Sequence, residues 1–274
     1  MRIARARIQG SPRIVVEQEG TLRIAPEELS VLDVIAAGPA ADWEVVAKDG
    51  LELLAPVDRT GKIIAVGLNY ADHTSETGFT QPERPLTFAK YTTSITGPND
   101  DIVVPAHLTS QVDYEAELTV LIGRRCGGET PATVDDIAAY TVANDVSARD
   151  VQFADVQWTR GKSFDTFTPV GPWLVTPDDF GSQVGHRIHT SVNGEVLQDD
   201  DTGEMIFDIP AILDFVSDGV TLEPGDLILT GTPAGAGAFR NPARYLQDGD
   251  IVVCGVEGIG ELRNRVVFLG RAAA

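Results

Sequence analysis

Residues 111–120 read QVDYEAELTV, with Asp113, Glu115 and Glu117 at every second position. In a β-strand, alternate side chains share a face. The three carboxylates then point one way, and Tyr114, Ala116 and Leu118 point the other. Like charges at that spacing repel and resist burial. Such a strand needs either open solvent or a cation. Hard divalent cations such as Mg²⁺, Mn²⁺ or Ca²⁺ take carboxylate oxygens, and two acids at i and i+2 on a rigid strand form a preset clamp. A third ligand has to come from elsewhere. Asp145, in the apolar-flanked run TVANDVSARD, is the best candidate, because an acid at the end of a short buried strand needs a partner.

Around that strand the chain reads as β-rich. KIIAVGLNY, PVGPWLVT, HRIHTSVNG, DLILTG, DIVVCGV and ELRNRVVFL have strand character, several ending in Gly or Asn-Gly turns. IFDIPAILDFVSDG has apolar residues at helical spacing, and TVDDIAAY starts like a helix capped by Thr133. No strand–helix alternation runs through the chain, which disfavours a parallel α/β fold and favours a rolled or closed β structure. Residues 1–57, short strands and then an Ala/Gly-rich polar stretch, read as a small accessory domain; residues 58–274 read as the domain that carries the chemistry.

The 274 residues carry a net charge of -20, which argues against nucleic acid and against anionic membrane surfaces. No apolar run is long enough to cross a bilayer. The early arginines of MRIARARIQG are not followed by the apolar core of a signal peptide, so the expected location is cytoplasmic. Cys126 and Cys254 lie far apart and are expected as free thiols.

Four further features bear on chemistry. His73 and Glu76 are three residues apart in ADHTSETGFTQPERP, which is expected to be an exposed loop with one helical turn; together they form a candidate base and its orienting acid. Residues 72–85 have little apolar material beyond Phe79, so they are expected to act as a mobile lid. Lys162, among aromatics and glycine, is a candidate cation for a substrate carboxylate. LILTGTPAGAG matches no nucleotide-binding pattern, but its backbone N–H groups and the Thr232 hydroxyl suit an oxyanion. Asp199, Asp200 and Asp201 read as a solvated turn, and His186 and His189 receive no role.

Taken together, VGLNYADHTSE, VDYEAELTVLIG, VANDVSARDVQ, GKSFDTFTPVGPWLVT, LEPGDLILTGTPAGAG and VEGIGELRN resemble the fumarylacetoacetate hydrolase family, in family order over about residues 62–266. The resemblance is to bacterial members with a small N-terminal domain. It implies rolled, mixed β-sheets, a homodimer, and one Mg²⁺ (or Mn²⁺ or Ca²⁺) on Glu115, Glu117 and Asp145. It places the His–Glu dyad on His73 and Glu76, the substrate-binding lysine on Lys162, and further substrate contacts on Arg149, Gln152 and Thr232. Asp113 then supports the ligands rather than joining them, and Ala236 stands where Val is usual. The expected substrate is a small anionic 2-oxo acid whose enolate the cation stabilises as a Lewis acid. Hydrolysis of acylpyruvate-like 2,4-dioxo acids is the leading expectation. Decarboxylation or isomerisation of oxaloacetate-like acids uses the same enolate, and a non-catalytic binding protein is the rival from another class.

Overall fold

The stretch 111–120 is not one strand but two, because its backbone donors are diverted to side chains. The Tyr114 N–H donates to Asp113 Oδ1 (2.9 Å), that of Glu115 to Asn144 Oδ1 (3.0 Å) and that of Ala116 to Gln198 Oε1 (3.1 Å). Val112–Asp113 therefore pairs with Ser147–Ala148, and Ala116–Ile122 pairs with Ile137–Asn144. The molecule, a computed structural model, is described over residues 1–48, 50–57 and 60–270.

Ala116–Ile122 lies near the middle of a mixed sheet. Its strands run in the order Thr21–Ile24, Ser11–Gln18, Arg2–Ile8, Thr168–Val175, Ile137–Asn144, Ala116–Ile122, Leu227–Leu229, Ile63–Gly67 and Leu86–Lys90. Most pairs are antiparallel; Leu227–Leu229 and Ile63–Gly67 are parallel. A second sheet orders Glu195–Asp201, Arg187–Val192, Ile251–Val256, Gly260–Leu269 and Ile102–Pro105. The two sheets pack face to face, Ile137–Asn144 and Thr168–Val175 against Ile251–Val256 and Gly260–Leu269. Both faces of Ala116–Ile122 and Ile137–Asn144 are buried, so these strands are mostly apolar instead of alternating, with Glu117 the one charged side chain among them. The mostly-β rolled fold expected from the pattern is the observed one.

Several local expectations are corrected. Thr133 does cap a turn, with Asp136 completing a capping box, but the turn is a single 3₁₀ turn, Val134–Asp136. The following IAAYTVAN is a strand, because pairing on both sides outweighs its helical propensity. Asp199–Asp201 belong to the strand Glu195–Asp201 rather than to a solvated turn; Asp199 faces Arg187, and the Asp201 carboxylate accepts the Gly203 N–H. The segment read as an exposed loop contains the helix Ala71–Thr77, which docks His73 and Thr74 inside. Residues 1–57 supply four strands to the large sheet: Arg2–Ile8 pairs with Thr168–Val175, with Ser11–Gln18 and with Glu52–Leu54, and Ser11–Gln18 pairs with Thr21–Ile24. Ile3, Val16 and Val34 share a core with Ile63, Leu121 and Leu174. Both cysteines are free thiols. Among the described residues no helix is long and apolar enough to cross a membrane.

Candidate active site

The break at residues 114–115 turns the acids inward. Ligand oxygens of Glu115, Glu117 and Asp145 all lie within 4.8 Å of one another, and all three residues are buried. Asp145 reaches them because its N–H donates to the Glu115 carbonyl (2.9 Å), fixing the end of one strand to the break in the other. Asp113 stands behind them. Its carboxylate accepts the N–H groups of Gly237 (2.7 Å) and Ala238 (3.0 Å) and the Arg149 guanidinium (2.9 Å).

Three buried cations answer these acids. Arg149, at the start of the helix Arg149–Ala154, donates to Asp113, to Glu115 (2.6 Å) and to Gln152 Oε1 (3.0 Å). Lys162 Nζ bridges Glu115 (2.5 Å) and Asp145 (2.7 Å). Lys90 Nζ donates to Asp145 and to the Phe167 carbonyl (2.9 Å). Burial alone would raise the Glu115 carboxyl, but Arg149 and Lys162 outweigh it and hold it well below the usual range. Burial would likewise lower the Lys162 ammonium, and Asp145 and Glu115 raise it instead.

Glu117 is the exception. Among the described residues its one hydrogen bond is from the Gly231 N–H (2.7 Å), and it makes no ion pair. Burial, then Asp145 and Glu115, push its carboxyl well above the ordinary range. Four buried acids thus face three buried cations, and the charge left over sits where the triad converges. A hard dication fits this donor set: the ligands are all oxygen, and the excess negative charge is local.

The helix Ala71–Thr77 covers the triad. His73 Nδ1 lies 2.7 Å from Glu76 Oε1, and Glu76 Oε2 accepts the Gly235 N–H (2.9 Å). The imidazole meets Phe239 edge-on, with ring centroids 5.7 Å apart. Asn69 anchors the helix's leading end: its side chain donates to the carbonyls of Thr230 (2.7 Å) and Phe207 (3.0 Å) and accepts the Phe207 N–H (2.8 Å). Gly231 and Gly235 both have positive φ, and a Cβ would strike Asn69 at the first and the Leu197 carbonyl at the second. Glycine is therefore required where this loop supplies its N–H groups.

His73, Glu115, Glu117, Arg149, Lys162 and Thr232 line one cavity of about 20 Å³, room for a water or an ion. The structure therefore brings together every site residue read from the sequence. Gln152 reaches the cavity too, while Glu76 stands one hydrogen bond behind it. Two functional positions went unread. Lys90 left a faint signal, as one of only four lysines in the chain, ending the otherwise uncharged LTFAK. Gln198, which holds Thr232, left none, because besides its hairpin neighbour Thr190 its partners come from two distant segments.

A rolled β scaffold with a buried carboxylate triad, roofed by a His–Glu helix, has the donors to hold a divalent cation. The chain belongs to the fumarylacetoacetate hydrolase family: residues 62–267 match the fumarylacetoacetate (FAA) hydrolase C-terminal domain. Oxaloacetate tautomerase FAHD2A, mitochondrial, from Bos taurus is 43% identical over 242 residues, spanning 87% of this chain and 76% of the relative. Among solved structures, a fumarylacetoacetate hydrolase from psychrophilic Exiguobacterium antarcticum superposes with a TM-score of 0.88 at 41% identity, covering 98% of this chain and 100% of the other. A 5-carboxymethyl-2-hydroxymuconate delta-isomerase from Mycobacterium smegmatis gives 0.83 at 38% identity, with the same coverage. The named relatives are thus enzymes that include a tautomerase, a hydrolase and an isomerase.

Proposed function

We propose that this protein is a divalent-metal-dependent enzyme of small 2-oxo acids, and that it interconverts the keto and enol forms of an oxaloacetate-like dicarboxylate. The observation that carries the reading is the His73–Glu76 pair. Glu76 occupies Nδ1 and is itself held by the Gly235 N–H. That leaves Nε2 as the free nitrogen of an imidazole that lines the same cavity as the acids. A carboxylate on Nδ1 sets the tautomer and steadies the imidazolium formed when Nε2 takes a proton. Nε2 would accept the proton from the carbon beside the keto group, the oxygen would gain one in exchange, and nothing else would be consumed. Glu115, Glu117 and Asp145 would hold the cation, Mg²⁺ suiting them and Mn²⁺ or Ca²⁺ being chemically similar. Bound there, it would supply Lewis-acid stabilisation of the charge on the substrate's oxygens. Lys162, Arg149, Gln152 and Thr232 would orient the carboxylates. The curated relative named as an oxaloacetate tautomerase supports this choice of reaction.

A second reading is hydrolysis of a C–C bond in acylpyruvate-like 2,4-dioxo acids. The same Nε2 would activate a water, for which the cavity has room, and the superposition on a fumarylacetoacetate hydrolase favours it. A homodimer would be the assembly in either case. One experiment separates the chemistries. The Mg²⁺-loaded protein is mixed with oxaloacetate and with acetylpyruvate; enol absorbance and products are followed. Enol relaxation without new products is expected on oxaloacetate. Acetate and pyruvate from acetylpyruvate would establish the hydrolase instead, and carbon dioxide from oxaloacetate a decarboxylase. No change with either acid would reject the enzyme reading.

A further inference from the structure

Gln198 sits on Glu195–Asp201, at the boundary between the two sheets, and is 1% exposed. Its Oε1 accepts the Ala116 N–H (3.1 Å) and the Thr190 hydroxyl (2.6 Å). Its Nε2 donates to Thr232 Oγ1 (2.8 Å) and to the Pro233 carbonyl (2.8 Å). A backbone N–H can only donate and a backbone carbonyl can only accept. Ala116 and Pro233 therefore dictate which end of the amide is oxygen, without appeal to either hydroxyl.

That orientation propagates in one direction. Thr190 and Gln198 are directly opposite on neighbouring strands, as are Thr190 and Cys254. Thr190 spends its proton on Gln198 Oε1, so the contact between Thr190 Oγ1 and Cys254 Sγ (3.4 Å) is donated by the thiol. Burial pushes that thiol up to about 12, so it keeps the proton it donates. At the other end, Thr232 Oγ1 already accepts from Gln198. The Thr232 hydroxyl donates to no partner among the described residues, is 3% exposed, and lines the candidate active site.

We propose that Gln198 is a positioning residue that, by filling one lone pair of Thr232 Oγ1, turns the hydroxyl proton into the site, suiting it to a ligand oxygen that only accepts, as a carboxylate does. The inference rests on the proposed 2-oxo acid reading for the ligand's identity, but the polarity of the chain follows from the geometry alone. Without the amide that lone pair is unfilled, nothing fixes the rotation of the hydroxyl, and the same oxygen can meet the ligand with a lone pair. Hydrogen bonds to charged groups are among the stronger ones, so reversing one is readable as affinity.

The probe is oxalate, titrated calorimetrically into the Mg²⁺-loaded protein, with thermal unfolding run on every variant. Thr232→Ser keeps the donor and should bind within about twofold of wild type, whereas Thr232→Val should weaken oxalate roughly tenfold or more. Gln198→Met and Gln198→Glu are expected to weaken it several-fold with Mg²⁺ affinity retained; the second keeps the size of the side chain and replaces its NH₂ by oxygen. In a Thr232→Val background, Gln198→Met should add less than about twofold, because its effect runs through a hydroxyl already removed. A folded Gln198 variant that binds oxalate like wild type overturns the proposal, and so do two effects that simply multiply. Oxalate binding that responds as expected, in a protein that turns over neither oxaloacetate nor acetylpyruvate, upholds the hydrogen-bond chain and overturns only the functional reading.

Discussion

Glu117 carries the sharpest residue-level consequence. Among the described residues it is the site acid that makes no ion pair, so in the metal-free protein its charge is opposed by Asp145 and Glu115 and answered by no more than the field of Lys162 and the Gly231 N–H. Glu117→Gln removes that conflict while keeping the shape. We expect the metal-free variant to unfold in urea at the wild-type midpoint or above it. The stabilisation by Mg²⁺, about 2.7 kcal/mol at a hundred times Kd for an intact site, should vanish. An unchanged Mg²⁺ response would take Glu117 out of the ligand set. His73 tests the other half of the site. His73→Ala should keep the Mg²⁺ response and lose turnover roughly 10²-fold or more, the range of a general base. A variant that turns over at the wild-type rate would end the base assignment.

At the scale of elements, the helix Ala71–Thr77 is the piece most dependent on its surroundings. Seven residues form too short a helix to hold in isolation, and it buries only His73 and Thr74. Asn69 ties down one end; at the other, Glu76 meets the Gly235 N–H. Phe79, just past the Gly78 cap, is left exposed. Few contacts hold this segment, so its local opening should cost less than global unfolding. Hydrogen exchange over residues 71–85 is expected to slow when Mg²⁺ and oxalate are added together, because the ligand completes the surface on which His73 rests. Equal protection with and without ligand would mean that the roof is rigid beforehand.

Across the whole molecule, the N-terminal segment is built into the large sheet. Arg2–Ile8 covers the edge of Thr168–Val175, and the Arg2 guanidinium reaches the carbonyls of Gly258 (2.5 Å) and Ile259 (2.7 Å) in the turn that joins two strands of the second sheet. Removing residues 1–57 would bare a strand edge and the apolar side chains beneath Ile3 and Val16. The shortened chain should melt lower and scatter light on heating. A soluble fragment with the full-length midpoint would make residues 1–57 an independent accessory domain. The net charge of -20 acts at the same scale by repelling an anionic substrate at long range. Raising inert salt from about 10 mM to about 150 mM shortens the Debye length from about 30 Å to about 8 Å, so KM for an anionic substrate should fall. A KM that rises instead would show that the local cations Arg149 and Lys162 dominate the approach.

The alternating acids of QVDYEAELTV, the nearby Asp145 and the His73–Glu76 spacing were legible because a few residues of chain contain each pattern. An acid at every second position in an apolar run poses its question locally, and a cation answers it without knowledge of the rest. The period-2 and apolar runs likewise determined a β-rich, rolled fold. What the pattern could not carry was every feature that depends on partners far along the chain. IAAYTVAN became a strand because it is paired on both sides, and Arg2–Ile8 joined the main sheet because Thr168–Val175 offered an edge. Lys90 meets Asp145 across 55 residues of sequence, and Gln198 meets Ala116 across 82. Strand pairing and buried hydrogen bonds are settled between surfaces, and those surfaces exist only once the chain has folded. The sequence determined the acids of the triad and the His–Glu pair; the tertiary structure decided that Lys90 and Gln198 join them, which acid makes no ion pair and which way each hydrogen bond points.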